Sequence, residues 1–358
     1  MKKNSNHSIE EVVLPDGTIR RVKKNVSYNK WGYIFLIPFF VIFIIFQLIP
    51  LGQTIYYSFF EYYFKLGLTQ VGPNFVGFEN FVKLLTGEMF WKYLGNTLVI
   101  WIMGAIPQFI FALLFAVWFT DARLKLKFQG FFKAIVYMPN LIMATAFGYL
   151  FFMLLGMTGP ISVLLQQLGI ISETFSFRES AVWVRIVIAF INVLMWTGNT
   201  CILLMSGIMG IDESIFESAR IDGSGSFRTF RSMTMPLLMP IFVYVFITSM
   251  IGGIQLFDAA QIYTQTMGGP QASSYTIIMY LSSLINGSRN YGVSGALSVI
   301  LFIITGILSI LVFKTLIPSK NIAKQEKRIH TKRDIWLRLN NSCYAEGALY
   351  ESRTSSSK

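Results

Sequence analysis

The chain has 358 residues, 54% of them hydrophobic and only 13% charged. Several apolar runs approach or exceed the ~20 residues that a spanning helix needs, which excludes a soluble domain built round one large core. The formal charge of +12 would suit a nucleic-acid partner, but its distribution along the chain argues against one.

Residues 1 to about 30 are polar and basic and read as a tail. The first span is expected from Trp31 to Leu51, with Pro38 inside it and Trp31 and Tyr33 as interfacial anchors. A long polar tail precedes it and no small-residue cleavage site follows, so it reads as an anchor and not a signal peptide. Apolar, aromatic sequence continues through Phe64, and 65–94 is expected to be a loop. Further spans are expected at about Gly95–Thr120, Phe132–Leu155, Ala181–Gly207, Pro240–Ala260 and Tyr291–Ile317. A Gly159-Pro160 turn separates the third from the fourth, and a turn-rich stretch with Gly268-Gly269-Pro270 precedes the last. These elements predict an all-α polytopic transmembrane helical bundle of six spans. The division is a tail at 1–30, a six-span membrane domain at 31–317, and a tail at 318–358. In that last tail, Lys320 to Asn341 suits a basic amphipathic helix, followed by a serine-rich end.

Six spans put both termini and the central loop on one side. Of the 30 Lys and Arg, only Lys65, Lys83, Lys92, Arg178, Arg185 and Arg289 fall on the other. The positive-inside rule places both termini in the cytoplasm. Net charge is thus a topology signal, helped by anionic lipid headgroups. No phosphate-cradling G-x-x-x-x-G-K-[ST] occurs. Cys201 and Cys343 supply no disulfide framework. No metal spacing and no nucleophile–base pair stands out.

The central loop, 211–236, is the longest polar interruption in the second half of the chain. Its first part reads as a short amphipathic helix with Ile211, Ile215, Phe216 and Ala219 on one apolar face. Asp212 suits its N-cap, and Gly223 suits a left-handed turn at its end. Ser224 or Ser226 is placed to cap a second helix that carries Arg228 and Arg231 and runs to Pro236. Such a unit suits docking into another protein's groove; a plain loop joining two spans is the blander reading of the same composition.

The spacing carries more. Glu217-Ser218-Ala219, three residues, Gly223, nine residues, then Met233-x-Met235-Pro236 resembles the E-A-A---G---------I-x-L-P signature of bacterial ABC importer permeases. The surrounding ESARIDGSGSFRTFRSMTMPLLMP resembles the sugar-importer branch. Ser218 and Ser224 stand for alanines, and Met233 and Met235 for Ile and Leu. Phe75-Val76-Gly77-Phe78-Glu79-Asn80-Phe81, Asn96-Thr97, Gly268-Gly269-Pro270, and Tyr291-Gly292 with Gly295-Ala296 are similar to landmarks of maltose-transporter-type permeases. The long Gly-Gly-Pro loop is more typical of the first of the two paired permeases. The resemblance covers most of the membrane region and neither tail.

That resemblance implies the type I importer permease fold and a bacterial plasma-membrane location. The chain is then a non-catalytic subunit that passes a sugar, expected to be an oligosaccharide, from an extracytoplasmic binding protein. It implies a second homologous permease as partner, and two ATPase subunits that hold the ATP and magnesium, with no cofactor in this chain. The central loop becomes the coupling helix: Glu217, Ala219 and Gly223 sit in the ATPase cleft, and Arg220 and Asp222, beside Ser218, offer charge at its rim.

The residues themselves suggest where a pathway lies. Asn192, Trp196 and Asn199 fall at i, i+4, i+7 in the fourth span, and Thr248, Gly252 and Gln255 do so in the fifth. Helical rise puts both stripes at similar depth. Polar amides in hydrocarbon are costly and face a partner or a cavity. Amides with an aromatic face suit a hydroxyl-rich substrate; interhelical hydrogen bonding is the plainer reading of each residue taken singly. Arg185, near the outer end of its span, is expected to snorkel to the interface, with a gate role as the alternative. Two rivals remain: an ABC permease for a non-sugar solute, and an ion-coupled secondary transporter. The second calls for carboxylates at mid-membrane, and the spans hold almost none.

Overall fold

The computed structural model describes residues 9–13, 19–23, 29–65, 69–121, 124, 127–265 and 268–316. The C-terminal tail expected at 318–358, with its basic helix, lies outside the described residues, as does Cys343. The chain divides into two compact units, Met1–Tyr57 and Ser58–Lys358.

In the first unit, strands β1 (Ile9–Val13) and β2 (Ile19–Lys23) pair antiparallel, with Ile9 opposite Lys23. The expected tail thus includes a hairpin that charge and polarity did not suggest. Helix α1 (Asn29–Phe43) continues through a π-type turn at Ile44–Leu48 into α2 (Ile49–Ser58). Trp31–Ser58 is one apolar run of 28 residues, so the first span is longer than the expected Trp31–Leu51. Pro50 lacks an N–H, and the π-type turn just before it absorbs the missing bond.

The second unit opens with β3 (Phe60–Lys65) and β4 (Thr69–Phe75), an antiparallel hairpin with a bulge between Glu61 and Tyr63. Helices α3 (Glu79–Thr86) and α4 (Glu88–Thr120) follow. The loop expected at 65–94 is therefore half a hairpin and two helix segments. Buried Asn80 holds the start of β3: its Nδ2 donates to the carbonyls of Ser58 at 3.0 Å and Phe60 at 2.9 Å.

Next come α5 (Gln129–Tyr137), a tight turn at Met138–Leu141, and α6 (Ala144–Leu154). The two helices meet at 92°, so the region expected as the third span, Phe132–Leu155, is sharply bent. Pro139 inside the turn cannot continue the α5 ladder. α7 (Pro160–Gln167) occupies an expected loop, and α8 (Ala181–Met209) is the fourth span. α8 closes on the broken span: Asn140 Nδ2 donates to the Met195 carbonyl at 3.0 Å, and a Cβ on Gly198 would lie 2.4 Å from the Val136 carbonyl.

α9 (Glu213–Ile221) leads to α10 (Ser226–Thr229), a π-type turn at Phe230–Thr234, and α11 (Met235–Ile254). These last elements and α12 (Asp258–Thr264) form an apolar run of 39 residues, Ser226–Thr264. The second loop helix does not stop at Pro236 as expected but becomes the fifth span. Pro236 lacks an N–H, and the π-type turn just before it lets the helix run on. The stretch expected to be turn-rich holds α13 (Ile277–Ser282), extended by a π-type turn to Gly287. α14 (Tyr291–Leu316) is the last span. Among the described residues, five apolar helices are long enough to cross a membrane, and the bent pair makes up to six.

Within this unit α8 is central: 56% of its most apolar window is buried, against 33% for α4. α4 and α8 form the most extensive helix pair. Gly104 lets them approach, since a Cβ there would lie 3.2 Å from the Ala189 carbonyl. Ile100, Ile188, Ile191 and Tyr263 are fully buried around this contact.

Candidate functional site

The central loop is built as its sequence specifies at both ends of α9. Asp212 caps it, accepting from the Ser214 N–H at 3.0 Å. Gly223 takes φ +68, a left-handed conformation that glycine adopts without a Cβ penalty. The Gly223 N–H donates to Arg220 O at 3.0 Å and the Ser224 N–H to Ala219 O at 2.9 Å, which satisfies two carbonyls left open at the helix end. The second helix starts differently from expectation. Gly225 occupies its N-cap, and Ser224 Oγ instead accepts from Thr229 Oγ1 at 3.1 Å.

The apolar stripe faces the other way from a free docking face. Ala219 is only 1% exposed, and Ile211, Ile215 and Phe216 are half-buried. Ile211, Phe216 and Arg220 line a cavity of about 310 Å³ between α9 and the ends of α4 and α8. Outward stand Glu217, Ser218, Asp222 and Gly223, all exposed, with Ile221 at 87% and Phe227 at 75%. Ser218 Oγ is turned back on the helix, donating to Ser214 O at 2.8 Å.

Deeper in the membrane region, α4, α8 and α11 enclose a cavity of about 110 Å³. Five of the six stripe residues line it: Asn192, Trp196, Asn199, Thr248 and Gly252. Gln255 does not. It is the C-cap of α11 and lines a separate cavity with Ser298 and Thr305. From α11 the cavity takes Val245, Thr248, Ser249, Gly252 and Gly253, and Gln255, just past the helix end, turns to the other cavity.

Sequence reasoning missed the α4 wall. Trp101, Gly104 and Gln108 line the cavity at i, i+3, i+7, a pattern legible in the sequence. Gln108 Nε2 donates to Thr200 Oγ1 at 2.8 Å, both buried. Asn192 Nδ2 donates to Ile188 O at 2.9 Å within its own helix, which leaves its side-chain oxygen free to accept. Thr248 Oγ1 is used inside α11, donating to the carbonyls of Tyr244 and Val245 at 3.0 Å. The Trp101 indole N–H is buried without an acceptor. Its ring rests on Gly253, where a Cβ would come within 1.9 Å of Trp101 Cδ1. Among the described residues no carboxylate lines this cavity. The wall thus offers amide and hydroxyl groups beside two indoles, a surface that hydrogen-bonds hydroxyls and stacks on C–H faces.

Arg185, expected near the interface, is tied to its own chain. Its Nε donates to Ser273 O and its Nη2 to Asn96 Oδ1, both at 2.9 Å.

No protein-family model matches the chain. It is 33% identical over 300 residues to the multiple sugar-binding transport system permease protein MsmF of Streptococcus mutans, covering 83% of this chain and 97% of that protein. It is 28% identical over 287 residues to the lactose transport system permease protein LacF of Rhizobium radiobacter, covering 80% and 94%. It is 27% identical over 280 residues to the trehalose/maltose transport system permease protein MalF of Thermococcus litoralis, covering 77% and 90%. Its fold is similar to a chain of a bacterial ABC transporter involved in the import of the acidic polysaccharide alginate, with TM-score 0.69, 20% identity, and 82% and 97% of the two chains covered. The same fold recurs, at TM-score 0.66, in a bacterial alginate ABC transporter in complex with an alginate pentasaccharide-bound periplasmic protein. The chain therefore belongs to the family of sugar ABC transport system permease proteins, membrane-spanning subunits that do not themselves catalyse ATP hydrolysis.

Proposed function

We propose that this chain forms one wall of a sugar pathway across the bacterial plasma membrane, and that the cavity between α4, α8 and α11 is its contact with the substrate. The observation that carries this reading is the convergence of Asn192, Trp196 and Asn199 with Gln108 and Thr248 on one enclosed space. Amides within an apolar bundle are costly unless they meet a partner, and a sugar supplies both hydroxyls and C–H faces. At about 110 Å³ the space is smaller than the ~300–1,000 Å³ of a complete ligand site. A second, homologous permease therefore supplies the facing wall.

On this reading α9 is the coupling helix. Exposed Glu217, Ser218, Asp222 and Gly223, with Ile221 beside them, meet one of two ATPase subunits, which hold the ATP and magnesium. Arg220 lies at the rim, and buried Ala219 lets α9 seat against its own chain. An extracytoplasmic binding protein delivers the sugar from the opposite side, and both termini are cytoplasmic. The test is uptake of labelled mono- and oligosaccharides into liposomes that hold the assembled complex, with and without the binding protein. Binding-protein-dependent uptake that falls in Asn192→Ala and Trp196→Ala supports the reading. Uptake of no sugar in the panel refutes the choice of substrate.

A further inference from the structure

Residues 268–277, between α12 and α13, are held by side chains from the outer ends of α4 and α8. Lys92 Nζ donates to Gln271 O at 2.9 Å. Asn96 Nδ2 donates to Ala272 O at 2.9 Å and Tyr275 O at 3.2 Å. Arg185 Nε donates to Ser273 O at 2.9 Å, and its Nη2 closes the ring on Asn96 Oδ1 at 2.9 Å. Carbonyls of four residues in one short loop thus turn toward three side chains from two helices. The loop backbone depends on them: Gln271 and Ala272 sit at φ 53 and 54, a region that non-glycine residues avoid.

This loop is joined to the outer end of the cavity. Thr276 Oγ1 donates to Leu256 O at 2.8 Å, and Leu256 lines the cavity. Thr97 Oγ1 accepts from the Ile277 N–H at 2.9 Å. Trp101, one turn inward on α4, is a cavity wall. The faces of α4 and α8 that carry the cavity are the same faces that hold the loop farther out: Thr97, Trp101 and Gly104 on one, Arg185, Asn192 and Trp196 on the other.

We propose that Arg185 and Asn96 are positioning residues that latch the 268–277 loop over the outer mouth of the pathway, and that release of this latch is a step in opening the chain to the extracytoplasmic side. The inference rests on the pathway reading above. The chemistry suits a reversible catch. In every latch bond described here, Arg185 and Lys92 meet neutral acceptors and no carboxylate. When the loop lifts, water replaces each bond without separating an ion pair. The released guanidinium then stands at the mouth.

The test uses the assembled complex in right-side-out vesicles, with Cys201→Ala and Cys343→Ala as background. Gly252→Cys reports on the cavity, since a Cβ there meets nothing within 4 Å. Ser274→Cys reports on the loop, where Ser274 is fully buried. A membrane-impermeant thiol reagent is added outside. Arg185→Gln and Asn96→Ala are expected to raise labelling at both positions at least fivefold, with Arg185→Lys between them and the parent. ATPase co-purification, unchanged, shows that the complex still assembles. If the Arg185→Gln and Asn96→Ala variants fail to accumulate, Lys92→Ala removes one bond and should shift both rates in the same direction by less. Rates equal to the parent at both positions overturn the proposal, as does a rise at 274 alone. If position 252 is never labelled in any variant while sugar is still transported, the pathway reading fails, and the latch with it.

Discussion

Gln108 Nε2 donates a 2.8 Å hydrogen bond to Thr200 Oγ1 across the α4–α8 contact, and both side chains are buried. It is a direct polar link between the two helices that carry most of the cavity wall. Both residues also line the cavity, so the bond ties the helices at the cavity wall. A double-mutant cycle with Gln108→Leu and Thr200→Val, read by thermal unfolding in detergent, should give a coupling near the ~0.6 kcal/mol typical of interhelical bonds in membranes. Uptake should fall far more in Gln108→Leu than in Thr200→Val. Equal losses from both changes would mean that Gln108 contributes no more than the bond it shares with Thr200.

Adjacent glycines in α11 should behave oppositely. A Cβ on Gly253 meets the Trp101 ring at 1.9 Å, whereas one on Gly252 meets nothing within 4 Å. Gly253→Ala should lower stability by ~1–3 kcal/mol through overpacking and displace Trp101. Gly252→Ala should assemble normally, and Gly252→Leu should assemble yet block uptake by filling the cavity. Melting curves of the purified complex, beside uptake, separate the two positions. Similar losses of stability at both would contradict this packing.

The turn after α9 offers a backbone test. Gly223 has φ +68 with open space around it, so a side chain there meets strain and no clash. Gly223→Ala should cost about 1–2 kcal/mol of local stability, loosen the end of α9 and weaken ATPase retention. Gly223→Asn, which tolerates this conformation better, should recover most of the retention. A loss as large for Asn as for Ala would point to a direct contact at this position and not to its backbone.

Topology is open to direct labelling. Single cysteines at exposed Asp212 and Glu217 should react with an impermeant reagent only in inverted vesicles. One at exposed Met89 should react only in right-side-out vesicles. The reverse pattern would overturn the charge-based orientation.

Much of this was written in the sequence, and particular residues show where it stopped. The spans were legible because hydrocarbon demands long apolar runs, and Asp212 and Gly223 because capping is local. The β3–β4 hairpin was hidden: Phe60 to Phe64 reads as more apolar sequence, and its closure depends on Asn80, twenty residues on from Phe60. The Asn192–Trp196–Asn199 stripe was legible because α8 is one unbroken α-helix and its polar residues repeat at helical spacing. Gln255 was misplaced because neither a helix end nor the orientation of a face toward its neighbours is fixed by spacing alone. The partners of Arg185 were not legible, because depth says only that it lies near the interface, whereas its acceptor, Ser273, lies 88 residues away. The outward face of α9 was likewise reversed, since an amphipathic stripe does not say whether it packs against its own chain or another.

The most direct test of the central claim is sugar uptake per assembled complex, in liposomes holding this chain, its partner permease, the ATPase and the binding protein. Two variants are compared with the parent: Asn192→Ala with Trp196→Ala, and Glu217→Lys. The account predicts that the first keeps the ATPase bound and loses at least tenfold in uptake, while the second sheds the ATPase and loses uptake with it. Unaltered uptake in the cavity variant, with the complex intact, would contradict it.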